Sequence, residues 1–278
     1  MPRAKRTRVG YPLSPQIFIE LGEIVRVGFT SKDVNNPEWK KLFRIYTNHG
    51  YRESGNVNDG YLKLTKSRIG TVEDNSWTLD VEQKIVQREA NVNLIKATIN
   101  YSYQDSAFVL NDWKSSSNFF SPEGVLLSDV SSDESSGSLG AIHSENSVIP
   151  DWCLFDQVLQ FPRIDGFAVE FTMLEGLSLL KSHQVIKYRG EELITLSDGS
   201  QQRLQRFTQT GSGVLPYDYW LDEHGDLGLV VTLSRAYILD SNAEKLVADH
   251  AEYELDKYKT RKREFESRMQ RRSEEVAK

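Results

Sequence analysis

The sequence predicts an α+β fold: a large, curved antiparallel sheet, as a half-barrel or open barrel, with two short covering helices and a long C-terminal helix. Three observations predict it. A two-residue hydrophobic rhythm runs from Tyr61 to Leu110 and returns from Gly166 to Asp240. Before position 240 only two short stretches combine helical spacing with end signals, and from Ser241 to about Glu275 nothing breaks a helix. A strand-rich chain with so few helices must bury one sheet face, and curling into a half-barrel does so. The competing arrangement is two lobes divided near a serine-rich stretch.

In chain order, residues 1–12 read as a flexible basic arm carrying Arg3, Lys5, Arg6 and Arg8 with no acid. Gln16 to Leu21 and Ile24 to Phe29 are short β-branched and aromatic runs, hence strands. Asn36 is placed to cap a first short helix, with Pro37 at its first position and Gly50 at its end. Trp39, Leu42, Phe43 and Tyr46 would then form its buried face. Strands follow around Tyr61–Leu64, Trp77–Val81 and Val92–Tyr103, the last with an irregular step between Leu94 and Ala97 that suggests a bulge. Glu82 to Glu89 is read as strand. Residues 114–148 are rich in serine and acid, bury little, and read as a long loop.

Asp151 caps a second short helix with Leu154, Phe155, Val158 and Leu159 inward and Pro162 at its end. Cys153 on this helix is a small buried apolar residue. The antiparallel meander after Gly166 has tight turns at Asp198-Gly199 and at Glu223-His224-Gly225-Asp226. Ser241 and Glu244 form a capping box that opens the last helix. A weak heptad seam follows along Ala248, Ala251, Leu255, Tyr258, Phe265 and Met269, interrupted by Lys262. The organisation is a basic arm at 1–12, a single β-rich domain at 13–240 with its Ser-rich loop at about 114–148, and a charged helix at 241–278.

Composition narrows the functional classes. The chain has 278 residues, 38% apolar and 27% charged, with a formal charge of −6, as expected of a folded, water-soluble protein. One cysteine excludes an internal disulfide and any multi-cysteine metal site. No apolar run approaches the roughly 20 residues of a membrane helix, and none follows the basic start at signal-peptide length. The expected setting is cytoplasmic, without a membrane. The five histidines form no pair at ligand spacing, and no phosphate, dinucleotide or zinc-helix motif occurs, so no metal and no cofactor are expected. Asn56-Val57-Asn58-Asp59-Gly60 lacks the closing Glu of a calcium loop and reads as a turn. Both ends of the chain are basic, yet they lack the interleaved aromatics of a base-stacking surface, which points away from nucleic acid.

The densest functional candidate runs from Pro216 to His224. Alternation places Tyr217, Tyr219 and Leu221 on one face and Asp218, Trp220 and Asp222 on the other. Asp218, Asp222 and His224 form a catalytic set for acid–base chemistry. Tyr217, Tyr219 and Trp220 are ligand-stacking candidates, joined by Trp113 where a strand meets the serine-rich stretch. Three classes stay open. The first is a binding protein that holds a small molecule or glycan in the concave face. The second is a carboxylate-dependent hydrolase or lyase. The third is an assembly protein that meets a second copy or another protein through 241–278.

Overall fold

A computed structural model describes residues 38–48, 56–71, 74–104, 107–135, 147–195, 199, 201–233 and 235–276. The basic arm, the first two expected strands and Asp198 lie outside these residues. Thirteen strands form one sheet: β1 (Trp39–Asn48), β2 (Asn56–Ile69), β3 (Ser76–Val86), β4 (Val92–Gln104), β5 (Ala107–Phe120), β6 (Leu126–Ser135), β7 (Val148–Pro150), β8 (Ala168–Glu175), β9 (Leu179–Thr195), β10 (Gln201–Gly211), β11 (Tyr217–Leu221), β12 (Leu227–Thr232) and β13 (Arg235–Leu239). Their order is β6-β5-β4-β3-β2-β1-β13-β12-β11-β10-β9-β8-β7, so two meanders join where β1 pairs with β13. The sheet curls without closing: β7, at one edge, packs against β5, one strand in from the other. β6 stays outside that approach as the terminal strand.

All neighbours are antiparallel except β7 and β8. A parallel pair needs a crossover connection. Here it is a 3-10 turn (Asp151–Cys153) leading into helix α1 (Leu154–Gln160). α1 lies on the concave side, where Leu154, Phe155 and Val158 are buried in the main core. The Phe155 ring meets Phe43, Tyr237 and Tyr219 edge-on at 5.3, 5.5 and 6.2 Å. The hollow expected to hold a guest is therefore filled by α1 and by aromatic side chains of the sheet itself.

The first expected helix is a strand. Trp39, Leu42, Phe43 and Tyr46 lie on β1, in register with Lys66, Lys63, Leu62 and Asn58 of β2. Helical spacing arose because both faces of β1 are apolar: Phe43 joins the main core, while Tyr46 joins a second cluster with Trp220, Leu229, Val231 and Ile238. Asn56 to Gly60 opens β2 and is not a turn. The bulge expected between Leu94 and Ala97 is absent from the continuous β3–β4 register; the slip on β4 falls at Asn100/Tyr101 against β5. Glu82–Val86 is strand as expected, ending in a 3-10 turn (Arg88–Ala90).

The serine-rich stretch is also corrected. β5 runs through Ser115, Ser116 and Ser117 to Phe120, and β6 occupies Leu126–Ser135, so 107–135 is a hairpin closing the sheet edge. Ladder hydrogen bonds come from the backbone, and a strand at an edge does not require large side chains on both faces. Gly166 to Asp240 folds as the expected antiparallel meander, although Gln184–Tyr188 and Leu193–Thr195 belong to one long strand, β9.

The last element, α2 (Ala243–Val276), crosses the end of β1–β3 and the turn before β4. Ala243 and Val247 pack with Tyr61 and Val86, flanked by Leu42, Val92 and Ala251. Its start is organised by Asp240, whose carboxylate accepts the Asn242 N–H at 2.8 Å and whose carbonyl accepts the Ala243 N–H at 3.1 Å. Glu244 reaches Lys63 at 3.1 Å, which replaces the expected capping box. Ala248 is exposed; the covered line runs through Val247, Ala251, Glu254 and Tyr258.

One buried ion pair fastens α1 to the sheet. Lys66 Nζ on β2 stands 2.8 and 2.9 Å from the Asp156 carboxylate, with side chains only 6% and 2% exposed. Tyr101 Oη and Trp39 Nε1 also donate to Asp156, at 2.8 and 3.2 Å, and the Lys66 ammonium lies 4.4 Å from the centre of the Trp77 ring. Removing one partner of such a pair strands the other charge in a poorly polarisable interior. Lys66→Ala is expected to cost about 3–5 kcal/mol in urea unfolding. The double variant Lys66→Met/Asp156→Leu should lose less than the single one, because no uncompensated charge remains.

Candidate functional site

The strip chosen from the sequence lies on β11 and the turn after it. Alternation holds: Tyr219 and Leu221 belong to the concave core with Tyr217 packed against it, whereas Trp220 joins the outer cluster. Tyr219 is 1% exposed and donates from Oη to Gln209 Oε1 at 3.0 Å. Tyr217 is half-buried and stacked on it at 6.3 Å. Trp220 is 3% exposed and the Arg206 guanidinium covers its ring at 5.2 Å. Trp113 is 4% exposed in the concave core. Three of these four aromatics are buried in packed clusters, and Tyr217 is half-buried against one of them.

Of the three catalytic candidates, Asp222 and His224 share one turn, and Asp218 is engaged elsewhere. Asp218 accepts a hydrogen bond from Thr208 Oγ1 at 2.6 Å across the β10–β11 pair, and no bond links it to Asp222 or His224. Asp222 builds the turn. Its Oδ1 accepts the N–H groups of His224 and Asp226 at 2.9 and 2.8 Å, and its carbonyl accepts from Gly225 at 3.0 Å. Gly225 has φ +88°, a left-handed backbone conformation that favours glycine. Burial raises the Asp222 pKa against the pull of the Asp226 N–H. His224 projects at the tip, 3.7 Å from Glu223, with 64% of its side chain exposed.

An open groove of about 430 Å³ lies elsewhere, on the convex face over β2–β5. It is lined by two adjacent cross-strand rows. One row is Lys63, Glu82, Lys96 and Ser116; the other is Thr65, Asp80, Thr98 and Lys114. Side chains alternate across a strand, so with Leu62, Leu64, Leu79, Val81, Ala97, Ile99 and Trp113 inward these eight face outward together. The acids are already engaged. Glu82 accepts from Tyr61 Oη at 2.6 Å and lies 3.7 Å from Lys96, and Asp80 accepts from Thr98 Oγ1 at 2.9 Å. Lys63 bridges to Glu244 of α2. Lys114 is exposed, and Asp133 stands opposite it in the β5–β6 register. The volume falls within the range of small-molecule sites, which run from about 300 to 1,000 Å³.

Sequence reasoning missed these residues. Their signal is present as Lys63-x-Thr65, Asp80-x-Glu82, Lys96-x-Thr98 and Lys114-x-Ser116, polar positions at period two. Only the pairing register shows that the four motifs lie abreast. Among the described residues no group of three or more His, Cys, Asp or Glu side chains is arranged to hold a metal ion. No helix among them is long and apolar enough to cross a membrane.

One acid near α1 has a consequence for stability. Asp151 accepts the N–H groups of Trp152 and Gly176 at 2.9 and 3.2 Å, so it organises the 3-10 turn from within and ties it to the β8–β9 turn; it is not a simple helix cap. Burial pushes its pKa from 3.8 up to about 7, although the two N–H donors pull it down. A carboxyl whose pKa rises on folding stabilises the fold most below its unfolded value and loses that contribution as the pH climbs through its folded one. The stabilisation from Asp151 is therefore full below pH 3.8 and lost by passage through about pH 7. In calorimetric melts, the gap in Tm between the parent chain and Asp151→Asn should shift steadily across that window. A gap independent of pH would overturn the assignment.

No family model and no curated protein matches the chain. Among solved structures it is similar to the crystal structure of a β-barrel-like protein of a domain of unknown function, DUF1849, from Brucella abortus. The two share 7% identity at a TM-score of 0.42, over 73% of this chain and 95% of that one.

Proposed function

We propose that this chain is a binding protein that holds a small anionic molecule in the groove on the convex face of β2–β5. The observation that carries this reading is the pair of polar cross-strand rows, with Lys63, Lys96 and Lys114 on three different strands around one groove. Cations on a rigid sheet are held in place by their backbones, which lowers the entropy lost when an anion is gripped. Asp80 and Glu82 accept hydroxyl hydrogens and orient the rim; an incoming anion competes with Glu82 for Lys96 and with Glu244 for Lys63, while Lys114 stands exposed beside them. Hydroxyls of Thr65, Thr98 and Ser116 supply neutral donors beside them. No aromatic ring lines the groove, which favours a carboxylate- or phosphate-bearing molecule over a neutral glycan that needs a stacking surface. The concave face offers less, because α1 occupies it. The hydrolase reading is less well supported, because Asp218 is bonded to Thr208 and the Asp222 carboxylate is engaged by the backbone N–H groups of its own turn.

Citrate, inorganic phosphate and a neutral disaccharide serve as probes in low-salt calorimetry. Citrate or phosphate is expected to bind, and the disaccharide is not. Lys96→Gln and Lys114→Gln should each weaken anion binding about tenfold, the value of one hydrogen bond to a charged group, with an unchanged melting profile. Failure of both anions to bind, or equal binding by the lysine variants, would overturn the proposal.

A further inference from the structure

The C-terminal helix is buried along one line and bare along the continuation of that line. Val247, Ala251 and Tyr258 follow one another at spacings of 4 and 7, and Phe265, Met269 and Val276 continue in the same phase. The first group lies against or beside the sheet. Every residue from 259 to 276 is exposed, with Phe265 at 61%, Met269 at 50% and Val276 at 88%. An apolar stripe serves a helix by being covered, and a helical segment of this length without packing is marginal in water. The stripe is flanked by Arg261, Lys262, Arg268 and Arg272. Between Lys257 and Arg272 the helix carries eight cations against two acids, in a chain whose total charge is negative.

A surface of opposite character lies at the sheet edge. Val125, Leu126 and Leu127 are 58, 48 and 54% exposed at the start of β6, the terminal strand, between the acids Glu123 and Asp129. The same chain already shows how the two chemistries fit. Glu123 accepts from Tyr258 Oη at 2.7 Å and from Lys262 Nζ at 3.2 Å, where the helix passes the β5–β6 turn. Beyond that contact no described residue covers the stripe of the helix or the leucines of the edge.

We propose that two copies of this chain pair reciprocally, the stripe Phe265–Met269 of each docking on the Val125–Leu127 edge of the other, with Arg268 and Arg272 facing Asp129. A second copy fits better than tail-to-tail pairing, because two such stripes would bring like cations together. It also covers an edge strand that lacks the lysines or prolines by which sheet edges are usually blunted. The contact is at the small end of specific interfaces, so association is concentration-dependent and weakens with salt.

Sedimentation velocity of the full chain over a concentration series tests it. The parent chain should pass from one to two chain masses. Phe265→Glu/Met269→Glu in the tail and Leu127→Glu at the edge should each raise the dissociation constant about tenfold or more. All three positions are largely exposed, so circular dichroism should not change. Mixing the two variants should recover a mixed dimer, because one intact tail then meets one intact edge. A parent chain that stays monomeric throughout overturns the proposal. So does an edge variant that dimerises like the parent, which would mean tail pairing, or a mixture no tighter than its components.

Discussion

The buried Lys66–Asp156 pair is the constraint around which the architecture is arranged. β7 and β8 run parallel, so the chain between them must cross over, and it crosses on the concave side as α1. That helix brings a carboxylate into a space otherwise lined by Phe43, Leu64, Ile99 and Tyr219. Desolvating a carboxylate there costs several kcal/mol, and the cost is offset only if the lone pairs are satisfied. Lys66, Tyr101 and Trp39 come from three strands of the first meander and converge on Asp156. Tyr103 joins at 3.4 Å and is itself held by Gln157 and Gln160 of α1. One polar cluster thus connects the crossover of the second meander to the strands of the first.

Filling the hollow side has a consequence for the other side. In β12 every residue is buried, and in β11 and β13 residues alternate between the concave core and the outer cluster, so that these three strands are covered on both faces. β2–β5 differ: apart from Lys66 their buried inward residues are mostly apolar, while their outward ones are lysines, acids, threonines and serines. A strand with one wet face is free to place charge there without desolvation, and cross-strand pairing then sets the charges in rows. The groove arises where polar rows are widest and α2 adds Glu244 at their border through Lys63.

The difference between the two halves also explains what could be read from the sequence. One wet face gives clean alternation, which is why Trp77, Leu79 and Val81 are legible as a strand. β1 has two dry faces. Leu42 and Tyr46 point away from Phe43, and their combined spacing imitates one helical stripe, reinforced by Asn36 and Pro37 as apparent helix starters. The serine-rich hairpin failed for the opposite reason, since its strands carry too little apolar surface to show a period. The Asp156 cluster and the groove were invisible because their members lie up to 117 positions apart and meet only through register. An isolated aspartate-and-aromatic strip looked more functional because its residues were adjacent in sequence, although adjacency on a strand alternately sends them to opposite faces.

The terminal hairpin brings these threads together. A strand with no neighbour on one side is the weakest place in a sheet, and β6 carries little apolar surface beyond Val125 to Leu127 with which to hold itself. α2 compensates at one point, since Tyr258 and Lys262 both grip Glu123 in the turn that links β5 to β6. Such exposed contacts are individually worth little, but they are anchored by a helix already buried at Ala243 and Val247 on the far meander strands. The helix therefore acts as a brace from β1 and β2 to the edge. This accounts for the helix from Ala243 to Lys262, while no described residue covers the turns after it, and the second copy proposed above would supply the surface that their apolar line lacks.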